Sequence, residues 1–176
     1  MNLFTAIEKR HSYRGAYTKA RVPRSALRRI VAAGLKAPSG CNAQTTTFVI
    51  VDDPRKMAVI RTLHPMTAIR QAHAIIACVV HKKAPPTFHG RDSFEVEDCA
   101  AAIENMLLAI TALGYGSVWI DGYLRERGRA SRLNRLLRVP RNRTVRVMLP
   151  IGVPAEKVRR PEKKPFGHRA WFNRHG

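Results

Sequence analysis

Arg10, Ser12 and Arg14 stand at alternate positions in the run Arg10-His11-Ser12-Tyr13-Arg14, so an extended backbone turns all three to one side. Guanidinium forks match phosphate oxygens two at a time, and with a hydroxyl between them the trio suits a phosphate. A second stretch, Ala37-Pro38-Ser39-Gly40-Cys41-Asn42-Ala43-Gln44, sets small residues on a tight path and adds two amides. Asn42 and Gln44 offer paired donors and acceptors for the edge of a heteroaromatic ring. The third, Leu113 to Gly122, has glycines where a strand enters and leaves, which lets backbone N–H groups approach a flat ligand. It lacks the third glycine and the following helix of a dinucleotide fingerprint. Taken one at a time, more ordinary readings stand beside these: a solvated basic loop, a helix-to-strand turn, and core packing around glycines.

Other chemistries find less support. The three cysteines, Cys41, Cys78 and Cys99, show no CxxC spacing, and the seven histidines form no HExxH or His-Cys cluster, so no metal site is expected. Cys41 has no sequence neighbour that would make it a nucleophile, and Cys78 and Cys99 read as small core residues. Trp119 reads as core.

The elements that must position these residues follow from periodicity. Asn2 caps a helix to about Arg10, with Leu3, Phe4 and Ile7 on one face. Pro23 at a first helical position, then Leu27, Ile30, Val31, Gly34 and Leu35, gives a second helix stopped by Pro38. Thr46 to Val51 is a strand, Asp53-Pro54 opens a helix carrying Val59, Ile60 and Leu63, and Ala74 to Val80 is a buried strand. Lys82 to Phe94 reads as a loop or lid. Glu95, Glu97 and Asp98 start the longest helix, which runs to Gly114. Tyr115 to Ile120 is predicted as a strand, Arg132 to Leu137 as a short basic helix, and Val145, Val147 and Leu149 alternate as a final strand. Helices and strands are interspersed with links too unequal for a regular βαβ series, which makes the class α+β.

At 176 residues, with 45% hydrophobic and 25% charged, the chain has the composition of one ordinary folded domain. No apolar run is long enough to cross a bilayer, and the lack of an apolar leader predicts a reduced, cytoplasmic protein. The unusual feature is a formal charge of +20, from 32 Lys and Arg against 12 Asp and Glu, with sixteen basic and three acidic residues from Arg125 onward. Such a field attracts anions: phosphorylated cofactors, nucleic acid or acidic lipid. A nucleic-acid-binding protein is therefore an alternative. No RNP-like aromatic motif, zinc finger or helix-turn-helix accompanies the charge, so only non-specific, salt-sensitive nucleic-acid contact is expected.

The block Arg10 to Arg14, the Ala-Pro-Ser loop with Asn42 and Gln44, the helix Glu97 to Leu108 and the strand Leu113 to Ile120 together resemble, in order and spacing, the signature blocks of the nitroreductase family. The stretch Pro150 to Lys157 with Trp171 to Arg174 is similar to the C-terminal segment of its shorter members. Where many members carry Gln-Pro-Trp, this chain has Gln44-Thr45-Thr46. The resemblance implies an α+β sandwich with a mostly antiparallel central sheet flanked by helices and dimerised through long helices. It implies one nitroreductase-like domain over residues 1–176, a tail from about 154 to 176 wrapping the partner with Trp171 and Phe172 as anchors, and FMN at the seam of a homodimer.

By the same resemblance, Arg10, Ser12 and Arg14 hold the FMN phosphate and ribityl chain with His11 close by, and Arg159 or Arg160 reaches the phosphate. Pro38, Ser39 and Gly40 come from the partner, and Asn42 binds the pyrimidine edge. Asp121 and Gly122 present backbone N–H groups to the flavin N5 and O4. The implied reaction is ping-pong: hydride passes from NAD(P)H through flavin N5 to a nitroaromatic, quinone or similar small acceptor, with no side chain as an obligatory acid. Relatives of the same fold that dehalogenate, fragment flavin or oxidise rings supply the alternative reactions.

Overall fold

The computed structural model describes residues 1–176. Helix α1 (Leu3–Lys9) starts where the Asn2 side chain accepts the Thr5 N–H at 2.9 Å. Helix α2 (Arg24–Leu35) follows, with Pro23 as the residue before its first turn instead of inside it. Strand β1 (Thr47–Val51) leads to α3 (Pro54–Thr62), whose N-terminus Asp53 caps by accepting the Lys56 N–H at 2.8 Å. A four-residue helix α4 (Thr67–Arg70), too short to leave a periodic signal, precedes β2 (Ala74–His81). Then come α5 (Glu95–Ala112), α6 (Arg129–Leu136), which begins earlier than its sequence pattern, and β3 (Arg143–Ile151). Helix α5 ends as predicted: Gly114 takes φ +81, its N–H bonds Thr111 O and that of Tyr115 bonds Ile110 O, satisfying the last carbonyls.

The sheet order is β1-β2-β3, all antiparallel. Central strand β2 is buried on both faces. Ile75, Ala77 and Val79 face a core with Met57, Ile60, Ile69 and Leu133 from α3, α4 and α6, while Ile76, Cys78 and Val80 face Leu27 and Ile30 of α2 and Cys99, Ile103 and Met106 of α5. Helices thus cover both sides of the sheet. The expected alternation of Val145, Val147 and Leu149 breaks at a bulge: Cys78 pairs with Val147 but Val79 with Val145, so Arg146 is the extra residue and Val145 joins the opposite core.

The expected strand Tyr115 to Ile120 reduces to two isolated bridges, Gly116 with Gly152 and Ile120 with Met148. The register places Val118 opposite Pro150, and proline has no N–H to complete the ladder there. The Tyr17 hydroxyl lies in the gap, 3.1 Å from Gly116 O and 3.3 Å from Pro150 O. Trp119, read as core, is 37% exposed, and the apolar face of α1 is open too, with Leu3, Phe4 and Ile7 all exposed. No helix is long and apolar enough to cross a membrane.

Because Tyr17 is buried and its hydroxyl reaches the Gly116 and Pro150 carbonyls where the ladder is interrupted, Tyr17→Phe is expected to cost about 1–3 kcal/mol of stability. Urea unfolding measures this, and an unchanged midpoint would show that the hydroxyl does not stabilise the junction.

Candidate functional site

The segment from Arg10 to Arg14 leaves α1 through an extended Arg10 and forms no helix or strand of its own. Tyr13 points into the core at 2% exposure and its N–H donates to Ser117 O at 2.8 Å, which turns Ser12 and Arg14 the other way. Arg10 does not lie free: its Nε is 3.0 Å from Glu104 Oε1 on α5. His11 Nδ1 lies 2.9 Å from Lys9 O.

The C-terminal segment runs back along this strip. Thr18 N donates to Val153 O, Ala155 N to Ala16 O, and Ala16 N to Glu156 Oε1, each at 2.8 or 2.9 Å. A side chain on Gly15 would collide with Glu156 and Val158, so the two chains are in close contact there. Arg159 and Arg160 follow Val158 in the chain, as Arg14 precedes Gly15. All three are exposed, and none has a carboxylate within ion-pair distance. A small cavity next to this strip is lined by Arg10, His11, Tyr115 and Ser117, and the buried Ser117 hydroxyl has no hydrogen-bond partner.

Four residues after Ser117 the backbone reaches Asp121 and Gly122. The Asp121 N–H donates to no group of the chain, and a Cβ on Gly122 would meet nothing within 4 Å. This turn is an open backbone edge. The Asp121 carboxylate is held by Arg125, with Nε at 2.7 Å and Nη2 at 2.5 Å, and Arg146 lies 3.7 Å away. The Arg125 fork, aided by the charge of Arg146 and opposed by partial burial, holds the Asp121 carboxyl below the usual carboxylate range.

Pro38 to Gln44 lies elsewhere. The Gly40 N–H donates to Asp98 Oδ1 at 2.8 Å, Ser39 Oγ accepts the Gln44 N–H at 3.1 Å, and Gln44 Nε2 donates to Asn42 Oδ1 at 3.2 Å. Cys41, Asn42 and Gln44 adopt φ of 51, 53 and 50, a left-handed path that costs side-chain-bearing residues energy. Gly40 is packed on the ring of Phe94, where any side chain would clash. This segment borders a groove of about 350 Å³ between α2, α5 and the entry to β1, where the buried hydroxyls of Thr45 and Thr46 have no partner. The groove shares no residue with the cavity beside Arg10. Asp98 and Glu104, the anchors of the two segments, stand about 9 Å apart along α5 and about 120° apart around it.

The sequence singled out Arg10, Ser12, Arg14, the Pro38 loop and the Asp121-Gly122 turn as candidates, but not the residues that hold them in place. Asp98, Glu104, Tyr13 and Phe94 are fixed by tertiary contact. The one signal available was scarcity: an acidic residue on an apolar helix of so basic a chain is expected to have a partner.

The fold is an α+β sandwich with helices on both faces of an antiparallel sheet. The model of the Nitroreductase family matches residues 7–93 and 62–153. The chain is 34% identical over 144 residues to a protein of Archaeoglobus fulgidus whose name, NADH dehydrogenase/NAD(P)H nitroreductase, is itself provisional, spanning 80% of this chain and 79% of that one. The solved nitroreductase with bound FMN from Bacteroides fragilis superposes with a TM-score of 0.76 at 25% identity, covering 99% of this chain and 100% of that one. A nitroreductase-like structure in complex with FMN from Desulfovibrio desulfuricans is 30% identical with a TM-score of 0.73, over 94% of this chain and 98% of that one. The chain belongs to the nitroreductase family.

An acid whose pKa is depressed by folding stabilises the fold above its unfolded value of about 3.9 and loses that contribution as pH falls through the folded value. Asp121→Asn is therefore expected to destabilise at neutral pH, with the gap to wild type closing below about pH 4. Denaturation midpoints across that range check it, and a pH-independent gap would contradict it.

Proposed function

We propose that the protein is an FMN-dependent NAD(P)H oxidoreductase of the reducing cytoplasm, acting as a homodimer on nitroaromatics, quinones or similar small acceptors. The observation that carries this is the contact of Gly15, which follows Arg14, with Glu156 and Val158, which precede Arg159 and Arg160, together with the open Asp121-Gly122 turn. Family membership and the FMN held by the Bacteroides and Desulfovibrio relatives support it.

In this reading Arg10, Ser12, Arg14 and Arg159 or Arg160 hold the FMN phosphate and ribityl chain, with His11 adjacent. The orphaned Ser117 hydroxyl and Asp121 N–H fit a polar ligand on this side of the sheet. Asp121 and Gly122 offer backbone N–H groups to the ring, while Arg125 occupies the Asp121 carboxylate and keeps it out of the chemistry. Pro38, Ser39, Gly40 and Asn42 serve the site of the second copy, consistent with their separation from Arg10 within one chain. Bound FMN supplies hydride acceptance from NAD(P)H and electron donation to the acceptor. The two substrates take turns in one site. The exposed Leu3, Phe4 and Ile7 of α1 and the tail from about 154 to 176, with Trp171 40% and Phe172 82% exposed, supply apolar surface for the partner.

The purified protein is expected to be yellow, to release FMN on heating and to oxidise NAD(P)H with menadione as acceptor. Arg14→Ala should weaken FMN binding by about tenfold, the effect of one charge-assisted hydrogen bond. A colourless protein that fails to take up added FMN would overturn the proposal.

A further inference from the structure

The end of β2, the start of α5 and the bulge of β3 border a further cavity, of about 400 Å³, whose polar lining is His81, Lys82, Ser93, Glu95, Thr144 and Arg146 and whose apolar wall includes Val80 and Val96. Glu95 is 3% exposed; it accepts the His81 backbone N–H at 2.7 Å, and its two oxygens lie 3.0 and 3.1 Å from His81 Nδ1. A carboxylate so placed keeps the proton on Nδ1 and fixes the ring, leaving Nε2 without a partner in the chain. The Glu95 oxygens are thereby engaged by the backbone and ring of His81.

The cations of the cavity are not answered in the same way. Lys82 is exposed and has no carboxylate within ion-pair range, and Arg146 reaches only Asp121, at 3.7 Å, whose oxygens Arg125 already holds. Helix α5 begins at this cavity, where Ser93 Oγ accepts the Glu95 N–H at 3.4 Å and the next first-turn N–H groups add a positive end. Of the other first-turn acids, Asp98 is tied to Gly40 and Glu97 is exposed. Two cations, a helix start and an oriented imidazole beside an apolar wall are the complement of a carboxylate on a hydrocarbon body.

We infer that this cavity binds the carboxylate of a small organic acid and forms the end of the acceptor site that favours carboxylate-bearing substrates. The second half rests on the oxidoreductase reading above. Arg146 joins the cavity to the Asp121 turn, so a ligand held here lies next to the segment assigned to the cofactor.

Calorimetric titration of the protein as purified, with 4-nitrobenzoate and with neutral nitrobenzene, tests this. The expected result is salt-sensitive binding of 4-nitrobenzoate that Lys82→Gln and Arg146→Gln each weaken by about tenfold, with nitrobenzene changed by less than about twofold. Lys82 is at the surface, so its variant keeps the fold and decides the matter even if Arg146→Gln does not. Binding of 4-nitrobenzoate no tighter than nitrobenzene, or unaltered by substitution, overturns the inference. Flavin absorbance is read on the same samples: a yellow protein blind to the anion removes this site alone, and a colourless one that binds it supports the anion site while removing the cofactor assignment.

Discussion

Three carboxylates on helix α5 hold the separate parts of this molecule in place. Glu95 takes the backbone and ring of His81 at the end of β2, Asp98 takes the N–H of Gly40, and Glu104 takes Arg10. Asn105 adds a bond to Ala33 O in α2. Each contact joins α5 to a segment remote in sequence. The helix can serve as a reference because its other face is buried against β2 through Cys99, Ile103 and Met106, and a helix packed on a sheet has little freedom to turn. Only 12 acidic residues stand against 32 basic ones, so carboxylates are the scarce partner in this chain.

The remaining cations lie mostly outside. Arg132, Arg135, Arg138 and Arg141 are exposed on and after α6, and the tail is basic to its end. The local consequence is more informative than the total. Arg14, Arg159 and Arg160 are exposed and have no carboxylate within ion-pair distance, so the fold has not used their charge.

Helices α1, α3 and α5 were legible because their caps and periods are local, and β2 because a strand buried on both faces reads as a continuous apolar run. Tyr115 to Ile120 was not. Its own residues suit a strand, and the obstacle is Pro150 on the facing strand, which no local reading includes. Val145 misled for the same reason, since the bulge at Arg146 is a property of the pair β2 and β3. Among the candidate site residues, Arg10, Ser12 and Arg14 were singled out by spacing, whereas Glu104 and Asp98 gain meaning only once α5 is packed. Trp119 looked like core by type, and its exposure follows from its place before the open turn.

If α5 sets the geometry of the ligand site, removing one of its anchors should damage binding without unfolding the chain. The direct measurement is FMN affinity, by quenching of flavin fluorescence, for wild type and Asp98→Ala, with far-ultraviolet circular dichroism on both. The account predicts the same helical spectrum and about tenfold weaker binding in the variant, the scale of one hydrogen bond to a charged group. Undiminished affinity in a folded Asp98→Ala protein would contradict it.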